Sequence, residues 1–125
     1  MDRRLRQEAE RLIEIALEED DAFNDITTKL LFPKPQAIKA HIEARQELLV
    51  CGLWTAEIVF KRLSGDIKFK PQKRDCQWAS AGEVLAYVEG DVRAVLGGER
   101  VALNLLSLLC GAATVSYTHL TLPTK

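Results

Sequence analysis

The sequence predicts an α+β fold in which helices pack against a small, mostly antiparallel sheet. Apolar residues recur at helical spacing near both ends of the 125-residue chain. Alternating apolar and polar residues, which are typical of half-buried strands, occupy the middle. No repeated strand–helix–strand unit is visible, so a parallel sheet is disfavoured. The length suits one domain with a modest core.

A helix is predicted at the start of the chain, where apolar residues recur at spacings of three and four. These residues are Leu5, Ala9, Leu12, Ile13 and Ala16. The helix should end in the acidic cluster at residues 18–21. A loop with one helical turn follows; Asp25 or Thr27 would cap the turn, and Pro33 and Pro35 would end it.

The middle of the chain predicts a strand, a helix and two further strands. Residues 38–45 alternate as a half-buried strand, and residues 48–50 are its hairpin partner or its continuation. A short helix comes next, with an inner face of Trp54, Ile58, Val59 and Leu63. Residues 67–71 and 82–91 read as strands. In the second of these, the alternation places Val84, Ala86 and Val88 on one face and Glu83, Leu85, Tyr87 and Glu89 on the other.

The composition narrows the class of protein. The net charge of −1 implies no polyanionic partner. A loose basic run, formed by Lys68, Lys70, Lys73 and Arg74, is interpreted as a solvated turn and not as a nucleic-acid patch, because aromatic residues barely interleave with it. The charged N-terminus does not resemble a signal peptide, and no apolar run is expected to span a membrane.

The chain has three cysteines, Cys51, Cys76 and Cys110, at wide spacing and without a C-x-x-C pair. Such usage favours reduced thiols in a cytoplasmic protein over a disulfide framework or a zinc site.

The last helix, predicted from about residue 91 to residue 113, carries the clearest functional signal. It is apolar almost all round and should therefore be buried on most sides. Its polar exceptions share one face at spacings of four, three and four: Arg100, Asn104, Ser107 and Gly111. A buried arginine must be paired. Its partner is either an internal carboxylate, such as that of Glu99, or an external carboxylate or phosphate.

Several segments resemble the quinolinate phosphoribosyltransferase family, also called nicotinate-nucleotide pyrophosphorylase (carboxylating). GGERVALNLLSLLCGAAT is similar to that family's ER-x-x-LN…SGIAT segment, with Cys110 at the position of the serine. ED at residues 19–20 and NDITT at residues 24–28 resemble its ED-x-x-x-GD-x-TT signature, with Asn24 replacing the glycine. The stretches IEARQELLVCGLWTAEIVFKRL and GEVLAYVEGDVRAVLGGER also match in order and spacing.

The resemblance implies an enzyme that transfers a phosphoribosyl group from phosphoribosyl pyrophosphate to quinolinate. Decarboxylation then gives nicotinate mononucleotide, a step of de novo NAD synthesis. The family has an N-terminal α/β sandwich domain, followed by an α/β barrel domain that binds the donor with Mg²⁺. This chain would be the N-terminal domain without the barrel, with no catalytic residue or cofactor of its own, and inactive alone. Its partner would be a second copy, in a homodimer or a trimer of dimers, and nucleic acid and membrane are not expected.

The same resemblance assigns Arg100 to a carboxylate of quinolinate bound by the neighbouring subunit. Glu99 and Asn104 are expected to support the helix and Arg100, and no metal ligand is expected. Asp25, Thr27 and Thr28 are interpreted as turn and cap residues. His41, alone within a strand pattern, is interpreted as structural.

The final segment, residues 115–125, differs from all that precedes it. VSYTHLTLPT resembles the translation of a transposon-end sequencing adapter. We therefore expect a native domain at 1–114 and a non-native tail at 115–125 with little regular structure, in which Tyr117, His119 and Pro123 carry no function.

Two other functions stay open at this point. GEVLAYVEGDV also resembles a strand of biotinyl and lipoyl carrier domains, although the modified lysine at a hairpin tip is missing. A related phosphoribosyltransferase with a different acceptor is the other alternative.

Overall fold

The computed structural model describes residues 3–20 and 26–121, and only the backbone for residues 26, 27 and 116–121. In chain order the elements are α1 (Arg3–Glu19), α2 (Ile26–Leu31), β1 (Ala37–Glu43), β2 (Leu48–Leu49), α3 (Leu53–Leu63), β3 (Lys68–Pro71), β4 (Trp78–Ala79), β5 (Val84–Asp91) and α4 (Val92–Thr121). The predicted α+β class is confirmed, and every predicted helix and strand has a counterpart.

The main sheet has three antiparallel strands in the order β1-β5-β3. β5 pairs with β1 on one side, where Ala40 faces Val88, and with β3 on the other, where Phe69 faces the same Val88. A second, two-stranded sheet pairs β2 with β4. The expectation that residues 48–50 continue β1 or form a hairpin with it is wrong, because Leu48 and Leu49 pair with Ala79 and Trp78.

A β-bulge in β5 changes which side chains face the core. Ile42 pairs with Ala86 but Glu43 pairs with Val84, so Leu85 is the extra residue. A bulge re-aims the side chain at this position. The strict alternation predicted for β5 is therefore wrong at Leu85, which is 2% exposed.

The inner faces of α1 and α3 are rotated from those expected. In α1, Ile13 and Leu17 are buried, whereas Leu5 and Leu12 are exposed. In α3, the buried residues are Leu53, Thr55, Ala56, Val59 and Phe60. Trp54 is only partly buried. The predicted inner faces included every apolar residue of the helical pattern. Each helix instead packs on one narrow side, so the apolar residues that flank this side remain exposed or only partly buried.

Helices α3 and α4 pack closely against each other at the centre of the fold. A Cβ atom at Gly98 would lie 3.0 Å from Cδ1 of Leu63 and 3.1 Å from Cδ1 of Phe60, so these side chains would have to shift to accept a larger residue. Ala102, Leu106 and Cys110 continue the buried side of α4.

The far side of α4 is exposed, contrary to the expectation of a helix buried on most sides. Leu108 is 68% exposed and Val115 is 60% exposed. Within the described residues, α4 contacts α1, α2, α3, β2 and β5, and these contacts leave Leu108 and Val115 uncovered. The segment Val92–Val115 is also long and apolar enough to cross a membrane by length and composition alone. This corrects the expectation that no run reaches that length; the buried half of the segment contributes to the core.

The backbone of α4 continues through Thr121. The expectation of little regular structure after residue 114 is thus wrong for residues 115–121. Helix propagation adds one hydrogen bond for each residue fixed, and neither glycine nor proline occurs between residues 112 and 121 to stop it. Residues 122–125, including Pro123, lie outside the described residues.

Candidate functional site

The candidate site is built on α4, whose start is fixed by a side-chain cap. Oδ1 of Asp91 accepts a hydrogen bond from the backbone N–H of Arg93 at 3.1 Å, and Oδ2 accepts one from Nη2 of Arg93 at 2.9 Å. The hydrogen bond from the Arg93 side chain is the main reason that the pKa of the Asp91 carboxyl lies below its ordinary value, and the bond from the Arg93 backbone lowers this pKa further. A charged N-cap also suits the positive end of the helix dipole. This cap lies at the start of the helix that carries Arg100.

Arg100 lies on the solvent side of α4, and its side chain is 78% exposed. Its Nη1 atom lies 3.5 Å from Oδ1 of Asp20, at the end of α1. The expectation of a buried arginine is therefore wrong, since the uncovered side of α4 carries it. A long contact to one carboxylate oxygen in solvent contributes little energy. The guanidinium is therefore accessible to an anion from outside.

The rest of the polar stripe is also exposed. Asn104, Ser107 and Gly111 follow Arg100 along the same side of α4. Glu99 is exposed as well, and among the described residues neither Glu99 nor Asn104 forms a hydrogen bond with Arg100. Their supporting role stays a prediction.

A groove beside this stripe was not predicted from the sequence. Leu85, Leu106 and Cys110 contribute to its apolar lining, while Arg45 of the β1–β2 loop and Ser107 contribute polar atoms. Only the bulge in β5 brings Leu85 to this position. The position of a bulge cannot be recognised from the alternation of apolar residues in the sequence.

The other residues singled out from the sequence lie on α2, on β1 or outside the described part. Asp25 is outside it, and Thr27 is described only as backbone of α2. Thr28 is buried. His41 is exposed on β1, with its ring edge-on to Tyr87 at 6.2 Å between centroids and Nε2 at 3.9 Å from Glu43.

The basic run divides between the main sheet and a loop. Nζ of Lys73 lies 2.6 Å from Oε2 of Glu83, and this contact is the main cause of the lowered pKa of Glu83. Lys68 and Lys70 lie on the exposed face of β3, where Lys70 pairs across the sheet with Tyr87. The sheet thus brings an aromatic side chain beside the lysines, which the linear spacing did not reveal.

No metal site is formed within residues 3–20 and 26–121. In this part of the chain, no group of three or more His, Cys, Asp or Glu side chains could hold a metal ion. The residues present therefore do not fit a resident cation.

The chain is similar to known proteins both in sequence and in structure. The family described as "Quinolinate phosphoribosyl transferase, N-terminal domain" matches residues 25–110. The chain is 37% identical over 112 residues to a protein of Methanocaldococcus jannaschii named "Probable nicotinate-nucleotide pyrophosphorylase (carboxylating)", covering 90% of this chain and 38% of that protein. It is 28% identical over 106 residues to "Quinolinate phosphoribosyltransferase (decarboxylating) 1b" of Nicotiana tabacum, covering 84% of this chain and 30% of that protein.

The fold is similar to solved structures named in the same way. The nicotinate-nucleotide pyrophosphorylase from Francisella tularensis matches with a TM-score of 0.80 and 33% identity, over 86% of this chain and 38% of that one. NadC from Streptococcus pyogenes matches with a TM-score of 0.76 and 26% identity, over 87% of this chain and 41% of that one. The chain thus spans between 30% and 41% of the length of the relatives named above. By sequence and by fold, this chain belongs to the quinolinate phosphoribosyltransferase family and corresponds to its N-terminal domain.

Proposed function

We propose that this chain is part of an enzyme that transfers phosphoribosyl from phosphoribosyl pyrophosphate to quinolinate, with decarboxylation to nicotinate mononucleotide. The family match over residues 25–110 supports the reaction class. In this proposal the chain contributes subunit contacts and one substrate-binding arginine, and it does not catalyse the reaction alone.

The exposed guanidinium of Arg100 is the observation that carries this role. A carboxylate of quinolinate can accept two parallel hydrogen bonds from one guanidinium. Because Arg100 is 78% exposed and its contact with Asp20 measures 3.5 Å, an incoming carboxylate would displace little. Held in this way, the dianion would be oriented for attack on the ribose, which is a positional contribution to catalysis.

A second copy of the chain is the proposed partner. Apolar side chains stand exposed on α1, where Leu5 is 57%, Leu12 is 64% and Ile15 is 46% exposed. Leu30 and Leu31 of α2 are exposed as well. Large exposed apolar side chains along a helix favour burial in an interface. We expect Leu12→Glu to shift sedimentation velocity towards the monomer. A wild-type dimer or hexamer supports the proposal, and a wild-type monomer contradicts it.

The donor and its Mg²⁺ are proposed to bind to a region of the enzyme that this chain does not match, so no step is assigned to the metal here. We also propose a cytoplasmic location. Three free thiols, Cys51, Cys76 and Cys110, support a reducing compartment.

The role of Arg100 can be tested in a chimaera. Residues 1–114 of this chain would replace the matching region of the Methanocaldococcus jannaschii relative. We expect the chimaera to form nicotinate mononucleotide. Arg100→Ala should raise the KM for quinolinate at least about tenfold, the effect of losing a charge-assisted bond pair, with little change in the KM for the phosphoribosyl donor.

A matched control separates this role from a general effect of charge. Arg74 is also an exposed arginine but lies in the loop before β4, so Arg74→Ala should leave both KM values unchanged. Arg100→Lys should restore only part of the activity, because an ammonium group lacks the fork geometry. An unchanged KM for quinolinate in Arg100→Ala would contradict the role, as would formation of the product by this chain alone.

The carrier-domain alternative is not supported. The stretch that suggested it forms β5, which pairs on both sides with β1 and β3. The family match over residues 25–110 includes this stretch and favours the phosphoribosyltransferase over the carrier domain. Assaying the chimaera with other pyridine carboxylates would address the alternative of a different acceptor.

A further inference from the structure

The fold brings two cysteines that are far apart in sequence into direct contact. Cys51 immediately precedes the N-cap of α3, and Cys110 lies on the buried side of α4. Sγ of Cys110 lies 3.3 Å from the backbone N of Cys51 and 3.4 Å from its backbone O. The sulfur therefore sits against the backbone from which the Cys51 side chain projects.

The two segments are held in this arrangement by neighbouring contacts. One turn further along α4, Oγ1 of Thr114 accepts a hydrogen bond from the backbone N–H of Leu49 at 2.9 Å. On the other side, the backbone N–H of Gly52 donates to Oδ1 of Asp75 at 2.9 Å. The proximity of the cysteines thus belongs to a fixed junction of β2, α3 and α4.

We propose that Cys51 and Cys110 form a site of reversible oxidation, at which a low-molecular-weight disulfide converts the two thiols into an intramolecular disulfide. A disulfide needs Cα atoms about 4.4–6.8 Å apart. Contact between Sγ of Cys110 and the backbone N and O of Cys51 makes the two residues direct neighbours, which is the first requirement for such a bond. The bond would fix the start of α3 to α4, the helix that carries Arg100.

The oxidation proceeds through two successive thiol–disulfide exchanges. The Cys51 thiolate attacks one sulfur of the oxidant; the oxidant's S–S bond breaks, a mixed disulfide forms and one thiolate leaves. The Cys110 thiolate then attacks the Cys51 sulfur and displaces the second thiolate. Two electrons pass to the oxidant, and the two protons from the protein thiols end on the two released thiols.

The order of attack follows from accessibility. Cys51 is partly exposed, whereas Cys110 is 2% exposed. Burial raises the pKa of both thiols, and Asp75 also raises both. Both cysteines are therefore mostly protonated at neutral pH, and the exchange proceeds through the small thiolate fraction and needs an excess of oxidant.

The test uses the full chain with Cys76→Gly, which removes the exposed third thiol at a position with a φ of 70° that glycine adopts readily. The protein is treated with glutathione disulfide and alkylated, and its intact mass is measured. We expect both remaining thiols to be lost, without a glutathione adduct. Peptide mapping should link Cys51 to Cys110, and the melting temperature should rise by at least about 5 °C, because the bond closes a loop of roughly 60 residues. Dithiothreitol should reverse both changes.

Controls in the same background keep one thiol each. Cys51→Ala and Cys110→Ala should show no internal cross-link and no rise in melting temperature on oxidation. The proposal is overturned if the Cys76→Gly chain keeps both thiols, if it carries two glutathione adducts without a cross-link, or if its disulfide joins two chains.

Discussion

At the scale of single residues, the conformation of Cys76 is the most unusual feature of the backbone. It has a φ of 70°, a left-handed value that side chains other than glycine adopt at a cost. Its backbone N–H donates to Val50 O at 2.8 Å, while Val50 N–H donates to Gln77 O at 2.8 Å. This is the pattern of a bulge whose first residue is ordinarily glycine.

Replacing Cys76 by glycine should therefore stabilise the protein. The gain should be about 0.5–1 kcal/mol, because relief of the left-handed strain exceeds the added entropy of glycine in the unfolded chain. Chemical denaturation under reducing conditions measures it. Cys76→Ala, which removes the thiol but keeps the strain, is the control. An alanine variant as stable as the glycine variant would contradict this explanation.

At the scale of elements, α4 depends on its cap. Asp91→Ala should lower the free energy of unfolding by about 1 kcal/mol, because the N–H of Arg93 loses its acceptor. Asp91→Asn keeps an acceptor at the same place and should lose less. Urea unfolding of the three proteins at neutral pH gives the comparison.

The same cap has a definite pH dependence. The pKa of Asp91 is lowered in the folded protein, so its stabilisation is fully present above the ordinary value of 3.8 and is lost as the pH falls through the lower folded value. The difference in stability between the wild type and Asp91→Ala should therefore be constant above that value and shrink below it. A difference that persists unchanged in acid would exclude the carboxylate as its source.

What the sequence could predict at this scale depends on the kind of pattern. The strand over residues 37–43 was evident because its alternation is uninterrupted. The pairing of Leu48 with Ala79 was not evident from the sequence, since two apolar residues pair equally well with any strand edge. The substrate-binding role of Arg100 stays a prediction, and its exposure was not predicted, because an apolar helix gives no sign of which side its neighbours cover.

At the scale of the whole molecule, Thr114 ties α4 to β2. Its Oγ1 accepts from Leu49 N and donates to Cys110 O at 2.6 Å. Ending the chain after Thr114 should leave the melting temperature within about 2 °C of the full chain, because Val115 is already 60% exposed.

Thr114→Val is the matched comparison for this truncation. It keeps the shape but removes the oxygen, and it should cost about 1–2 kcal/mol because Leu49 N–H loses its partner. Calorimetry of the two proteins separates these effects. A truncated chain less stable than Thr114→Val would show that residues beyond 114 contribute to the fold.

The strand order also governs how this protein can be made by a ribosome. β5 joins β1 to β3, yet it is the last strand in the chain, ending at Asp91. While residues 37–83 emerge, β1 has no partner in its own sheet, and its exposed edge must wait for about 40 more residues. A nascent chain stalled before residue 84 would therefore hold two strands, β1 and β3, without their shared partner, and such unpaired edges favour aggregation.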